Sequence, residues 1–175
     1  MSYHLERMNT ADSELTIEWI TRQYGFDRAE VELWVKHLHF NWPLSVKAIT
    51  NHGEVVGLLN MSDYRIEEET ETMAKDAPQL LDKLNTMRYT AVFSFIVVEK
   101  YRGTTLNYEM MTSIMDDLKA FDFIFIPVMH HLKTHNYWQR WGALPFYRDS
   151  NCVYYMLPFS DKAKEISRTA AKQSG

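Results

Sequence analysis

One cysteine in 175 residues, Cys152, excludes an intrachain disulfide and makes a reducing compartment the expected home. Its place in a strand-like run reads as a buried small hydrophobe rather than a nucleophile. No stretch approaches the ~20 apolar residues of a membrane helix, and Met1-Ser2-Tyr3-His4-Leu5-Glu6 lacks the apolar region of a signal peptide, so the expected location is cytoplasmic, with no membrane partner. An excess of basic charge is missing as well. Nineteen Lys and Arg against 23 Asp and Glu give a net charge of -4, which argues against a nucleic-acid partner. There is no internal repeat, no G-x-S-x-G nucleophile elbow, no phosphate loop ending in Gly-Lys-Ser/Thr, and no three-glycine dinucleotide fingerprint. What is present is apolar content: 46% hydrophobic and 14% aromatic residues, ample for one domain over residues 1–160 with a polar tail over 161–175.

The hydrophobic periodicity predicts a short strand over 3–8 and a helix capped by Asp12 or Ser13 that ends at Gly25. A second helix is capped by Asp27 and carries Val31, Trp34, Val35 and Leu38. Residues 45–50 and 54–61 alternate around Asn51-His52-Gly53, a hairpin signature. Residues 64–90 form an excursion with one short helix, opened by Asp76-Ala77-Pro78. Ala91 to Val98 is almost continuously apolar and is expected at the centre of the sheet. Leu106, Met110, Met111, Ile114, Leu118 and Phe121 then share one helical arc, followed by a strand over 123–128. The two strands and the helix between them make a parallel β-α-β unit. A helix over about 133–141, a closing hairpin over 144–157 and a frayed polar tail complete the chain.

The junction Val97-Val98-Glu99-Lys100-Tyr101-Arg102-Gly103-Thr104-Thr105-Leu106-Asn107 concentrates the chemistry. A strand ends, an Arg-Gly turn follows and a helix begins, an arrangement whose backbone N–H groups can hold phosphate. The order of elements around this junction, together with Tyr137-Trp138-Gln139-Arg140-Trp141-Gly142-Ala143 before the last hairpin, resembles the GNAT superfamily of acyl-CoA N-acyltransferases over nearly the whole chain. In that family the first motif is R/Q-x-x-G-x-G/A. Thr105 and Asn107 stand here where the family has small residues.

The resemblance implies an α/β fold (α+β by some schemes) with a mixed, mostly antiparallel central sheet, helices on both faces and a central parallel β-α-β unit. It implies acetyl-CoA or coenzyme A as cosubstrate, without a metal, and acyl transfer by direct attack of an amine within a ternary complex. The backbone at Val97 and Val98 would bind the pantetheine arm and the acyl carbonyl. The amides of Arg102, Gly103, Thr104, Thr105, Leu106 and Asn107 would bind the pyrophosphate, and His130 or His131 would border the pantetheine. Trp138 occupies the position of the family's frequent acid tyrosine, four residues before the corner glycine, and indole has no useful acidic proton. Tyr137, about 100° away around the helix, is then the candidate acid.

For proton removal, Glu99, Glu67 to Glu69, His39, His130 and Tyr64 are candidates, with Glu99 chosen as the catalytic partner of Tyr137. The three glutamates otherwise read as a solvated face. His131 and His135 lie at i and i+4, a spacing that suits zinc, but no cysteine or carboxylate lies nearby in sequence to complete a site. The expected partner is a small-molecule or peptide amine. Exposed aromatics or the last hairpin leave a homodimer open, and the alternative function is a non-catalytic acyl-CoA-binding or interaction module on the same scaffold.

Overall fold

A computed structural model of the chain describes residues 2–173. In order, the elements are β1 (Tyr3–Arg7), α1 (Ser13–Tyr24), α2 (Arg28–His37), β2 (Val46–Thr50), β3 (Val55–Ser62), α3 (Ile66–Glu69), α4 (Thr72–Asp76), α5 (Pro78–Asn85), β4 (Tyr89–Val97), α6 (Leu106–Leu118), β5 (Phe123–Met129), α7 (His135–Arg140), β6 (Leu144–Arg148), β7 (Cys152–Pro158) and α8 (Asp161–Gln173). The strands form one seven-stranded sheet in the order β1-β2-β3-β4-β5-β7-β6. It is mixed: β4 and β5 run parallel, while β1-β2, β2-β3, β5-β7 and β7-β6 are antiparallel. The expected mixed sheet with its β-α-β unit is therefore present.

The chain forms two compact units, Met1–Asp63 with Val92–Leu118 and Tyr64–Ala91 with Lys119–Gly175. In the first, Gly25 ends α1 at φ 70, a conformation that favours glycine, and its N–H donates to Thr21 O at 3.0 Å. Asp27 caps α2 by accepting from Ala29 N and Glu30 N. Asp12 is the N-cap residue of α1, as expected, but its side chain does not bond into that helix: Asn9 caps a preceding 3-10 turn over Thr10–Asp12, and the Asp12 carboxylate closes a capping box by accepting from Asn9 N and also receives Lys47 Nζ at 2.8 Å. Ile17, Ile20, Val31, Phe40 and Ile96 form an apolar cluster beneath α1 and α2, with Trp19, Phe26, Trp34 and Phe93 packed against it.

Strand β3 fixes which helix covers which face. A Cβ added at Gly57 would approach Met110 Sδ of α6 to 2.8 Å, whereas Asn60 donates to Thr16 Oγ1 of α1 at 3.3 Å. Positions 57 and 60 differ by an odd number, so they project to opposite faces and α6 and α1 sandwich the strand. Buried Asn60 also accepts from Ser94 Oγ of β4 at 2.9 Å, which satisfies a polar group that would be costly to leave unpaired in the core.

In the second unit, the ladder between β4 and β5 covers Tyr89↔Phe123, Thr90↔Ile124 and Ala91↔Phe125. Phe125 stacks on Tyr154 of β7 at 5.7 Å and 9°, and Tyr64 meets Phe125 edge-on. The excursion between β3 and β4 holds three helices rather than one. Each turn is anchored by its own apolar residue, Ile66, Met73 and then Leu81 and Leu84, all buried. Asp76 ends α4 instead of capping α5, and its Oδ2 accepts from Tyr147 OH at 3.0 Å. Phe121 lies beyond the end of α6. The polar tail is the regular helix α8, which packs Ala163, Ser167 and Ala170 against β6 and β7. No described helix is long and apolar enough to cross a membrane.

Candidate functional site

The junction after β4 is built almost entirely from backbone geometry. A 3-10 turn over Glu99–Tyr101 follows Val98, with Tyr101 N donating to Val98 O and Arg102 N to Glu99 O, both at 3.0 Å. Gly103 then takes φ 78, and nothing lies within 4 Å of where its Cβ would be. A side chain there would be strained by the backbone and not by crowding. That turn starts α6. Glu109 N donates to Thr105 O at 2.9 Å, which makes Thr105 the N-cap, and Leu106 N is taken by Thr104 Oγ1 at 3.3 Å. Thr104 Oγ1 itself donates to Tyr101 O.

The structure thus brings Val97, Val98, Glu99 and Arg102 to Asn107 together in one strand-turn-helix corner, exposed at Glu99 and from Arg102 to Thr105 and buried at Val97 and Leu106. Two backbone groups in it are already committed. Val98 N donates to Val56 O at 3.0 Å, and Val97 O accepts from Arg102 Nε at 3.0 Å. Arg102 therefore braces its own turn, a role invisible in a motif. Glu99 is exposed on the 3-10 turn and contributes its carbonyl to the brace.

A group that sequence reasoning missed is Glu109. Its Oε1 accepts from Thr105 Oγ1 at 2.5 Å and its Oε2 accepts from Tyr3 OH at 2.9 Å. These two hydroxyls hold the Glu109 carboxyl below the usual carboxylate range, so it is ionised at neutral pH. The Thr105–Glu109 spacing of i, i+4 is a visible helical pair, but Tyr3, 106 residues away, carries no sequence signal.

The other predicted residues lie in the second unit. His131 is exposed at the turn after β5. His135 has both ring nitrogens engaged, Nδ1 with Tyr155 OH at 2.9 Å and Nε2 with Met129 O at 3.2 Å. The carbonyl can only accept, so Nε2 carries a proton. Among the described residues, no group of three or more His, Cys, Asp or Glu is placed to hold a metal ion. Trp138 is buried, and Tyr137 packs edge-on against it at 4.9 Å and beside Trp141. Burial pushes the Tyr137 phenol up to about 12, partly offset by Trp141, so it stays protonated across the physiological range.

Glu68 and Glu69 are exposed, as the reading of a solvated face expects, and Glu67 is half-buried. Glu68 accepts from Arg65 N, and Glu67 receives Asn85 Nδ2 at 3.5 Å. Glu69 is exposed as a residue, but desolvation at its carboxyl raises its affinity for a proton, the charge of Asp149 adds to the rise, and Tyr64 lowers it. Asp149 goes the other way. Burial pushes it up, but Tyr154 OH at 2.6 Å, Cys152 N at 2.9 Å, Asn151 N at 2.8 Å and Thr70 together bring it below the usual range. Burial raises the Cys152 thiol to about 11, with the charges of Glu69 and Asp149 adding, so it is a neutral buried group as expected.

No sequence-family model and no curated protein sequence matches the chain. Solved structures do. A GNAT-family acetyltransferase from Staphylococcus aureus Mu50 superposes with a TM-score of 0.64 at 14% identity, over 91% of this chain and all of the other. A polyamine N-acetyltransferase from Drosophila melanogaster gives 0.64 at 12% identity, over 90% of this chain and all of that one. The fold is that of the GNAT acetyltransferases. The PaiA N-acetyltransferase of Thermoplasma acidophilum, solved with coenzyme A, gives 0.57 at 10% identity over 90% of this chain and 99% of its own. The two GNAT-like motifs read from the sequence fall on the β4–α6 corner and on α7 with the turn into β6.

Proposed function

We propose that the protein is an acyl-CoA-dependent N-acyltransferase that moves an acetyl group to an amine. The observation that carries this reading is the corner at Gly103. Its positive φ delivers an exposed helix N-terminus at the end of a central strand, with open space above the glycine for an anion to approach the backbone. The amides from Arg102 to Asn107 would hold the pyrophosphate, and α6 contributes its dipole. The backbone near Val97 and Val98 would face the pantetheine, with Val97 O keeping one lone pair beyond its bond from Arg102 Nε.

In the reaction, the amine nitrogen attacks the thioester carbonyl, a C–N bond forms and the C–S bond breaks. The amine proton leaves through water or Glu99, and the departing thiolate is protonated. Tyr137 suits the second task because its phenol remains protonated at neutral pH. A structural neighbour that forms N-acetylagmatine and another that acetylates a ribosomal protein support both small amines and peptides as acceptors. The second reading, a non-catalytic acyl-CoA-binding module, is favoured by Trp138, whose buried indole replaces an acid tyrosine.

A thermal-shift titration tests the cosubstrate. At 100 times its dissociation constant, coenzyme A or acetyl-CoA should stabilise the protein by about 2.7 kcal/mol. No shift at millimolar ligand would remove both readings. Thiol release from acetyl-CoA with a panel of amines then separates them: release requires the enzyme, and binding without release leaves the module.

A further inference from the structure

A threonine has one hydroxyl proton to donate, and in Thr105 it goes to Glu109. The acceptor is ionised, so the bond is of the strong, charge-assisted kind. It is also held from its far side, because Tyr3 OH occupies the second carboxylate oxygen. Strand β1 in turn cannot drift from α6. Arg7 reaches Ser113 O and Asp117 Oδ2, both at 2.8 Å, and Glu109, Ser113 and Asp117 lie at i, i+4 and i+8 along one face of the helix. Glu109 therefore places a fixed negative charge in the first turn of α6, beside the N-terminus that would receive a pyrophosphate.

We infer that Glu109 sets the affinity for the acyl donor by competing with its pyrophosphate for the Thr105 hydroxyl. The inference rests on the coenzyme A reading above. Thr105 stands where a glycine or another small residue would leave the backbone bare, and its hydroxyl compensates only if it can turn to the phosphate. To do so it must leave Glu109, and the donor must approach a carboxylate that already uses the helix dipole. Tyr3 strengthens the competitor by anchoring it. The arrangement makes coenzyme A binding weaker than the corner alone would allow, which favours release of the spent cosubstrate after transfer.

The test is calorimetric titration of coenzyme A into the wild type, Glu109→Ala, Thr105→Val and the double variant. Glu109→Ala should lower the dissociation constant at least fivefold. In the Thr105→Val background the same change should lower it less than twofold, because the contested proton is gone. Dephospho-coenzyme A, which keeps the pyrophosphate, should show the same ratios. An unchanged or weaker affinity in Glu109→Ala overturns the inference, as does equal tightening in both backgrounds, which would make Glu109 a bare charge. Glu109→Gln, which keeps an acceptor without the charge, should fall between wild type and alanine, and unliganded thermal midpoints confirm that each variant is folded. Failure of all four proteins to bind coenzyme A would instead defeat the coenzyme A reading itself.

Discussion

Glu69 and Asp149 illustrate how two like groups near each other are pushed apart in acidity. Asp149 gathers four donors and stays ionised, while Glu69 has Tyr64 and faces the Asp149 charge. A carboxyl raised in the folded state binds its proton more readily than in the unfolded chain. Its contribution to stability is thus present below the unfolded value near 4.5 and is lost as the pH rises through the folded value. Glu69→Gln should raise the thermal midpoint at pH 7, and its advantage over wild type should close as the pH falls toward 4. A constant gap at both pH values would show that Glu69 does not titrate differently on folding. Cys152 was legible as a packing group from its sequence neighbours alone. The tie from Tyr3 to Glu109 was not, because it joins residues 106 positions apart through side chains that no periodicity links.

Among the elements, the legible ones are those long enough to repeat a pattern. Helix α6 shows three turns of apolar spacing, and the β2–β3 hairpin is marked by Gly53 at φ 81. Helices α3 and α4, of four and five residues, are shorter than two turns and leave no period to read. Their positions depend on anchors and on side-chain bonds such as Thr72 Oγ1 with Tyr147 OH at 2.7 Å. The packing of α1 on β3 and β4 was equally hidden, since it turns on Asn60 within an apolar strand. Asn60→Ala would leave the hydroxyls of Thr16 and Ser94 without their shared partner and open a cavity. We expect a loss of about 3 kcal/mol in urea unfolding, against about 1 kcal/mol for Ser94→Ala. Equal losses would mean that the network acts pairwise through Ser94 alone.

At the scale of the whole molecule, the order of strands and helices was readable while most of the site was not. The chain shares only 10 to 14% identity with structures that it matches over about nine tenths of its length, so element order and apolar patterning carry the fold rather than particular residues. Site residues lack that redundancy, and each depends on a single side chain. Charge is also a property of the whole chain. A protein of net charge -4 repels a polyanion such as coenzyme A at long range. Raising salt from about 10 to 150 mM shortens the screening length from about 30 to about 8 Å, so the association rate of coenzyme A should rise in stopped-flow measurements. A falling rate would show that a local basic field outweighs the net charge.

The bare backbone of Gly57 has a consequence for chemical damage. It makes room for the sulfur of Met110, which is fully shielded from solvent between α6 and β3. Adding one oxygen to that thioether would enlarge and polarise a group that has a strand backbone directly beneath it. An oxidant can therefore reach Met110 only when α6 lifts from the sheet. Oxidation of Met110 would thus report opening of the helix that follows the Gly103 corner.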